Sequence, residues 1–361
     1  MHTKLFAAGL ALVIGIGGSV AVASTTPAIA GVAPTVASMA RLATNPGALF
    51  DTTGRLVDAG LALAGASVAG ELDPTALDAA ASRRILGKDG RFTVLLLGAD
   101  ARGTGLGGRT DAIMVASVDP LTRKAAIVSI PRDIVQFPLT ATRRYAGKVN
   151  AIYQSLSRTT RTPGTTLRGI VGRALGIEID AYVIVGFTAF KKLVAKVNGL
   201  TVTLAKTYYD PYYWVTPRKR GWRWPAGTHR LSAFNALIFA RSRKGDNDYG
   251  RARRQQQLVI SAVGKVRTLG PGVMAALLAA GRGYYKTDLP MADRALIFAI
   301  VARANLATAK RTVFGPTVYA SWRYGAGYVL NLTRCKAWIR TYFPKARPYG
   351  IWLPPAPSTI Q

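Results

Sequence analysis

Three short apolar runs, Phe92–Gly98, Ala112–Val118 and Lys124–Ile130, constrain the fold more than any other feature of this chain. Runs of this length bounded by turn residues predict buried strands. The connections are as informative as the runs. The first is followed by Ala99-Asp100-Ala101-Arg102, a glycine-rich loop and Gly108-Arg109-Thr110-Asp111; the third runs into Pro131-Arg132-Asp133. Gly103, Gly105 and Gly108 spell the dinucleotide fingerprint, but that fingerprint must open a helix, and here a second strand follows. Nicotinamide binding is therefore excluded.

Asp100 and Asp111 stand near the ends of adjacent predicted strands and can converge on one point, as can Arg102, Arg109 and Arg132. Carboxylate oxygens beside several guanidinium groups suit a Mg²⁺-bridged pyrophosphate, because arginine forks match phosphate oxygens. Composition supports an anionic partner. Across 361 residues, Lys and Arg number 48 against 17 Asp and Glu, a formal net charge of +31. The first 90 residues hold six charges of each sign, so the whole excess falls on residues 91–361. Such a field attracts nucleic acid, an anionic membrane face or a phosphorylated substrate. At 49% hydrophobic residues, the chain is not of the disordered class.

Scarcity excludes much chemistry. One cysteine, Cys335, rules out an internal disulfide and a multi-cysteine zinc site. Two histidines, His2 and His229, leave no room for a multi-histidine metal site, and a Ser-His-Asp triad would have to rest on His229. A metal must be held by oxygen, which selects a hard cation, Mg²⁺ with Mn²⁺ as the substitute.

The N-terminus carries Lys4 and then 19 uncharged residues, Leu5–Ala23. As a helix this stretch would be about 28 Å long, near the hydrocarbon thickness of a bilayer. With the positive end first, the chain should leave the cytoplasm, either tethered by a signal anchor over residues 1–24 or secreted after cleavage at Ala23. Residues 25–90 read as an Ala-rich stalk with helices near Gly54–Val68 and Asp73–Ile85.

A second basic cluster lies downstream. Leu231–Ala240 predicts the start of an amphipathic helix that flows into Arg241-Ser242-Arg243-Lys244, a Gly245–Gly250 turn, and Arg251-Ala252-Arg253-Arg254-Gln255. Five arginines within fourteen residues exceed what Asp246 and Asp248 can neutralise, so this density calls for an external anion.

Taken in order, these segments resemble the LytR-CpsA-Psr cell-wall transferases. The matching residues are Leu95–Asp100, Gly108–Asp111, Ser129–Asp133, Lys148-Val149-Asn150-Ala151, Pro225–Leu231, Ala240–Arg243, Asp248–Arg251 and Arg254–Gln257, with Thr287-Asp288-Leu289 as a weaker late match. The likeness covers residues 91–290, with 291–361 expected to complete the same domain. Ala101 departs from the usual serine, and Tyr208–Trp224 is unusually aromatic and basic.

The resemblance implies an α/β fold, an αβα sandwich with a central mixed sheet flanked by helices. It also implies a membrane-anchored, outward-facing phosphotransferase. Its donor would be a polyprenyl-pyrophosphate-linked glycan, its acceptor a muramic-acid hydroxyl of peptidoglycan, and its products a phosphodiester and polyprenyl phosphate. On this chain, Asp100 and Asp111 would hold Mg²⁺. Arg109, Arg132, Arg241 and Arg243 would grip the pyrophosphate and, with Asp111, form the catalytic set. Arg102, Arg251, Arg254 and Gln255 would stand beside them. Asp100 and Asp111 both remain candidates for the general base. Arginine far outnumbers lysine, which suggests a GC-rich genome and an arabinogalactan-like donor, with teichoic acid as the other candidate.

Two other classes fit the charge: a non-catalytic polyanion binder, and a hydrolase of pyrophosphate-linked lipids that uses water as acceptor. The segment Tyr208–Trp224 holds seven aromatics and predicts either a loop covering the sheet edge or a platform for sugar rings. Export favours sugar, and no nucleic-acid partner is expected. The stripe Phe190, Leu193, Val194 and Val197 predicts a core-facing helix over Phe187–Gly199, with a lipid-facing wall as the second reading.

Overall fold

A computed structural model describes residues 85–344, apart from 102–104, 121, 270–276, 278–279, 291–292 and 324–326. The leader, residues 25–84 of the stalk and Arg102 lie outside the described residues; the stalk's last residues are described, and Ile85 and Leu86 are buried in the core. Among the described residues no helix is long and apolar enough to cross a membrane.

The three apolar runs become β1 (Phe92–Ala99), β2 (Thr110–Val118) and β3 (Ala125–Ser129), each buried along its whole length. Three more strands join them: β4 (Ala181–Val185), β9 (Tyr285–Thr287) and β10 (Lys310–Val313). The order is β10-β3-β2-β1-β4-β9. β1 pairs antiparallel with β2 and parallel with β4; β3 is antiparallel to β2, β10 is parallel to β3, and β9 is antiparallel to β4. The sheet is therefore mixed, with β1, β3, β4 and β10 running one way.

Side chains alternate across a strand, so a strand buried throughout needs a cover on each face. Phe92, Val94 and Leu96 of β1 enter one core layer and Leu95, Leu97 and Ala99 the other. The first layer is roofed by α3 (Phe187–Lys196), α4 (Ala233–Arg241), α5 (Asp248–Leu269) and α6 (Arg294–Arg303). The second is roofed by α1 (Ile152–Thr159), α2 (Pro163–Leu175) and α7 (Leu332–Tyr342). This is the αβα sandwich. Phe190, Leu193, Val194 and Val197 are all buried in the first layer, as the core reading of that stripe required.

Local signals set the helix ends. Pro163 sits in the first turn of α2, and Gly176 closes it at φ +73°, a conformation that suits glycine. Ser232 caps α4 by accepting from the Asn235 amide at 3.3 Å. The expected helix start at Leu231 moves by two residues, because Leu231 ends β8 (Gly227–Leu231), paired with β5 (Leu200–Leu204). The aromatic segment is not a loop. It forms a hairpin of β6 (Tyr208–Thr216) and β7 (Lys219–Trp224). Tyr208, Tyr213 and Trp224 turn into the core, while Tyr209, Tyr212 and Trp214 face out with Arg220 stacked over the last two rings. Two-residue alternation therefore divides the aromatics between packing and surface.

Asp180 makes one strong contribution to the pH dependence of stability. The Asp180 carboxylate, at the entry to β4, accepts from the Thr93 amide at 2.6 Å. Burial pushes its pKa up to about 8, with Asp89 and Glu178 adding to the effect. The unfolded carboxyl titrates near 4, so between about pH 4 and 8 the folded state holds a proton that the unfolded state has released. Stability must fall with rising pH across that window, by up to about 1.4 kcal/mol per unit. Asparagine can accept the same hydrogen bond without that proton. Asp180→Asn should therefore melt higher than wild type at pH 8 and equally near pH 4, as thermal unfolding across pH would show.

Candidate active site

The ends of β1, β3, β4 and β10 and the beginning of antiparallel β2 lie along one edge of the sheet, where ligands of open α/β sheets bind. Asp100 follows β1 at this edge, and its amide donates to the Arg109 carbonyl at 3.1 Å. The β1–β2 register slips there. Gly98 faces Ala112 but Ala99 faces Thr110, which makes Asp111 the extra residue of a β-bulge. A bulge re-aims side chains and stays only where the rest of the structure holds it.

Asp111 is buried and held from two directions. Asn150, on a short 3-10 turn before α1, donates its side-chain amide to Oδ1 at 2.5 Å, and Arg132 donates Nη1 to Oδ2 at 3.2 Å. Arg132 follows the proline that ends β3, and its Nε lies 3.4 Å from Asp133 and 3.7 Å from Asp248. One guanidinium thus faces three carboxylates. They raise its pKa against the opposing effect of burial. Lys148 pairs with Asp133 at 2.5 Å; although burial pushes the other way, Lys148 and Arg132 hold that carboxyl below the usual range.

Asp248 is the hub. Asn247 caps α5 by accepting from the Tyr249 and Gly250 amides, which sets Asp248 in the first turn, where the helix dipole favours a negative charge. Asp248 Oδ1 lies 2.8 Å from Arg251 and 3.7 Å from Arg243, while Oδ2 faces Arg132. Arg251 is 3% exposed, and its pKa is lowered to about 10 by burial first and then by Arg132 and Arg243, against the pull of Asp248. Its Nε and that of Arg132 are buried without a hydrogen-bond partner. Three cations converge here with donors to spare.

The remaining arginines are placed differently. Arg109 is exposed and forms no ion pair among the described residues. Arg241, the last residue of α4, lies 4.9 Å over the Phe187 ring at the start of α3. Arg254, expected beside the pyrophosphate, is turned into the protein. Its donors go to the Phe239 carbonyl at 3.0 Å, the Asp246 carboxylate and the Ser242 carbonyl, and its plane stacks on Tyr208 at 4.1 Å. Gln255 donates to the Ala240 carbonyl. Both sit about one helical turn beyond Arg251, deep enough to brace α4 rather than reach the cluster.

Sequence reasoning gave no role to Asn150, Asp133, Lys148 or Asp248, although each lies within a motif it singled out. It also passed over Asp210 of β6. This buried carboxylate accepts from Ser242 Oγ at 2.5 Å and from the Arg243 and Lys244 amides at 3.0 Å, which fixes the turn carrying the downstream arginines. A lone acid in an otherwise basic hairpin was the available signal.

The sheet, the two helical layers and a guanidinium cluster interleaved with carboxylates at the strand ends define an αβα sandwich with a charged site at one sheet edge. Residues 65–324 match the model of the LytR_cpsA_psr family, and the chain belongs to that family. It is 30% identical over 207 residues to the regulatory protein MsrR of Staphylococcus aureus, covering 56% of this chain and 58% of that one. It is 32% identical over 178 residues to the polyisoprenyl-teichoic acid–peptidoglycan teichoic acid transferase TagV of Bacillus subtilis, covering 48% and 44%. The chain thus spans about half the length of the curated relatives it matches. The crystal structure of B. subtilis TagU shares the fold at a TM-score of 0.52 and 21% identity, over 73% of this chain and 99% of that one. TagT bound to LIIa-WTA does so at 0.52 and 23%, over 70% and 90%.

Proposed function

We propose that this protein is a phosphotransferase that moves a glycopolymer from a polyprenyl-pyrophosphate-linked donor to a muramic-acid hydroxyl of peptidoglycan. The observation that carries this reading is the hub at Asp248, where Arg132, Arg243 and Arg251 meet and the buried Nε atoms of Arg132 and Arg251 make no hydrogen bond within the protein. A pyrophosphate brings the oxygens those donors need and relieves the mutual repulsion of the three cations. Family membership and the named activity of TagV support transfer to the wall.

In this mechanism the acceptor oxygen attacks the sugar-side phosphorus in line. A new P–O bond forms, the bond to the bridging oxygen breaks, and polyprenyl phosphate leaves. Arg132, Arg243 and Arg251 bind the equatorial and leaving oxygens, while Arg109 and Arg241 reach in from the flanks. Preorganised positive charge supplies most of the rate. The acceptor's proton passes to a carboxylate, for which Asp100 and Asp111 are the candidates.

Among the described residues there is no group of three or more acidic, histidine or cysteine side chains that could hold a metal. We read Mg²⁺ there nonetheless, because that ion needs only one or two carboxylates and completes its shell with water and phosphate oxygens, and each Asp111 oxygen, already accepting from Asn150 or Arg132, keeps a second lone pair. Asp100 and Asp111 would hold it, or Mn²⁺ in its place, and it would neutralise developing charge on the phosphates. The apolar leader Leu5–Ala23 would tether the domain outside the cell membrane.

The test is to incubate the purified protein with a lipid-linked glycan and peptidoglycan, digest the wall, and look for a phosphodiester-linked glycan on muramic acid. Release of glycan phosphate into solution alone would identify a hydrolase, and no turnover would leave a polyanion binder. Organic extracts should contain retained polyprenyl phosphate or pyrophosphate after high-salt washing, since a buried prenyl tail contributes about 0.8 kcal/mol per CH₂ that salt does not screen. Arg241→Ala with Arg243→Ala should release most of it.

A further inference from the structure

The β6–β7 hairpin is a two-stranded sheet with two unlike faces. Its inner face packs Tyr208, Tyr213 and Trp224 into the first core layer and buries Asp210. Its outer face is exposed and carries Tyr209, Tyr212 and Trp214, at 51%, 57% and 56% exposure. A fourth exposed ring, Phe234 in the first turn of α4, packs edge-on against Trp222 of the same hairpin at 6.2 Å. Large rings grouped in water mark a contact surface.

The charge on this surface has one sign. Arg218, Lys219, Arg220 and Arg223 are exposed and form no ion pair among the described residues. Between Asp180 and Asp246 the sequence holds a single acid, Asp210, and that carboxylate is turned inward. Rings among unpaired cations fit either a glycan or an anionic lipid surface, and the placement of Arg220 decides between them. A sugar lays its C–H face flat on a ring and needs that face free. The Arg220 guanidinium already lies over Tyr212 and Trp214, at 4.7 and 5.6 Å from their centres. A bilayer interface asks for something else: aromatic bodies at headgroup depth, with cationic tips beside them that reach phosphates. Arg220 bridging two rings, with Arg218 and Lys219 at the turn, has that form.

We propose that the outer face of the β6–β7 hairpin docks the folded domain on an anionic phospholipid surface, as a membrane contact separate from the leader. The attraction has two parts: burial of the rings, which salt does not screen, and the pull of lipid phosphates on the four cations, which it does. The hairpin's other face gives the docking a consequence. Asp210 accepts there from the Arg243 and Lys244 amides at 3.0 Å. The strand that meets lipid therefore also holds the turn carrying Arg243, and docking sets the height of that arginine above the headgroups.

The experiment places a nitroxide label on the full chain at Thr216→Cys, exposed at the end of β6, or at Thr159→Cys, exposed at the end of α1 in the opposite layer. Cys335 is fully buried and stays unlabelled. The protein is bound to vesicles of phosphatidylcholine with one third phosphatidylglycerol, and spin relaxation is read with oxygen and with a water-soluble nickel complex. At Thr216→Cys, access to nickel should fall several-fold and access to oxygen should rise, while the label at Thr159→Cys stays aqueous. Adding Tyr212→Ser with Trp214→Ser, or Arg218→Glu with Lys219→Glu, should return the first label most of the way to water. These four side chains are exposed, and circular dichroism would confirm that the variants stay folded. The leader is present in every variant, so the differences belong to the hairpin. Equal aqueous access at both labels, or docking that survives both double variants, would overturn the proposal. A label that stays aqueous on vesicles but is immobilised by soluble peptidoglycan fragments would make the hairpin a glycan platform and overturn it too. No turnover enters the measurement, so failure of the phosphotransferase reading would leave the docking result standing.

Discussion

Arg132→Lys should lower the transfer rate about 10²- to 10³-fold while the protein stays folded, the scale expected when one preorganised transition-state donor is removed. The reason is geometric. Nη1 of Arg132 reaches Asp111 at 3.2 Å while Nε faces Asp133 and Asp248 at 3.4 and 3.7 Å, so a single planar group spans carboxylates from β2, the β3 exit and α5. Lysine keeps the charge but has one nitrogen on a flexible stem, and it cannot present two parallel donors to a phosphate. With the charge kept, the three acids are still countered, so the melting temperature should move by only a few degrees. The loss should appear in kcat with little change in donor KM, because the interaction strengthens as charge develops on the leaving oxygens. A rate within threefold of wild type would remove Arg132 from the chemistry.

Much of this site was legible before any fold was known, because its parts are local. A short apolar run ending at a charged motif is a strand delivering a side chain to a sheet edge, and that logic placed Asp100, Asp111 and Arg132 at the edge where they stand, while Arg109 is exposed there without an ion pair among the described residues. What stayed hidden is non-local or phase-dependent. The bulge at Asp111 comes from a register slip between β1 and β2, and no single-strand pattern encodes one. Asn150 meets Asp111 across 39 residues, and Asp210 meets the arginine turn across 32 and more. Arg254 and Arg251 look alike in sequence, yet one turn of helix separates a guanidinium in the cluster from one bonded to the end of α4. The hairpin was missed because aromatics and arginines dominate its composition, whereas its two-residue alternation carries the structural signal.

Arg251→Met should make the protein more stable and nearly inactive. Arg251 is 3% exposed, and burial together with Arg132 and Arg243 lowers its pKa to about 10 despite the ion pair with Asp248. A cation whose folded pKa lies below its unfolded value is disfavoured by folding at every pH where it stays charged. A shift of two to three units corresponds to roughly 3 kcal/mol. Methionine fills similar space without charge, and Asp248 keeps Arg132 and Arg243 as partners. Removing one partner of a buried pair is costly when the other charge is stranded, but Asp248 is 29% exposed and keeps two guanidinium partners, so that cost does not arise here. The melting temperature should therefore rise by about 6–12 °C, at 2–4 °C per kcal/mol for a domain of this size, while transfer falls about 10²-fold or more. Added inorganic pyrophosphate should then raise the melting temperature of wild type more than that of the variant, since anion binding to the folded state relieves the repulsion among the three cations. A lower melting temperature in Arg251→Met would mean that the ion pair with Asp248 outweighs burial and repulsion, and that the cluster is built for the fold. A higher one means that the protein holds a destabilising charge in place for its ligand.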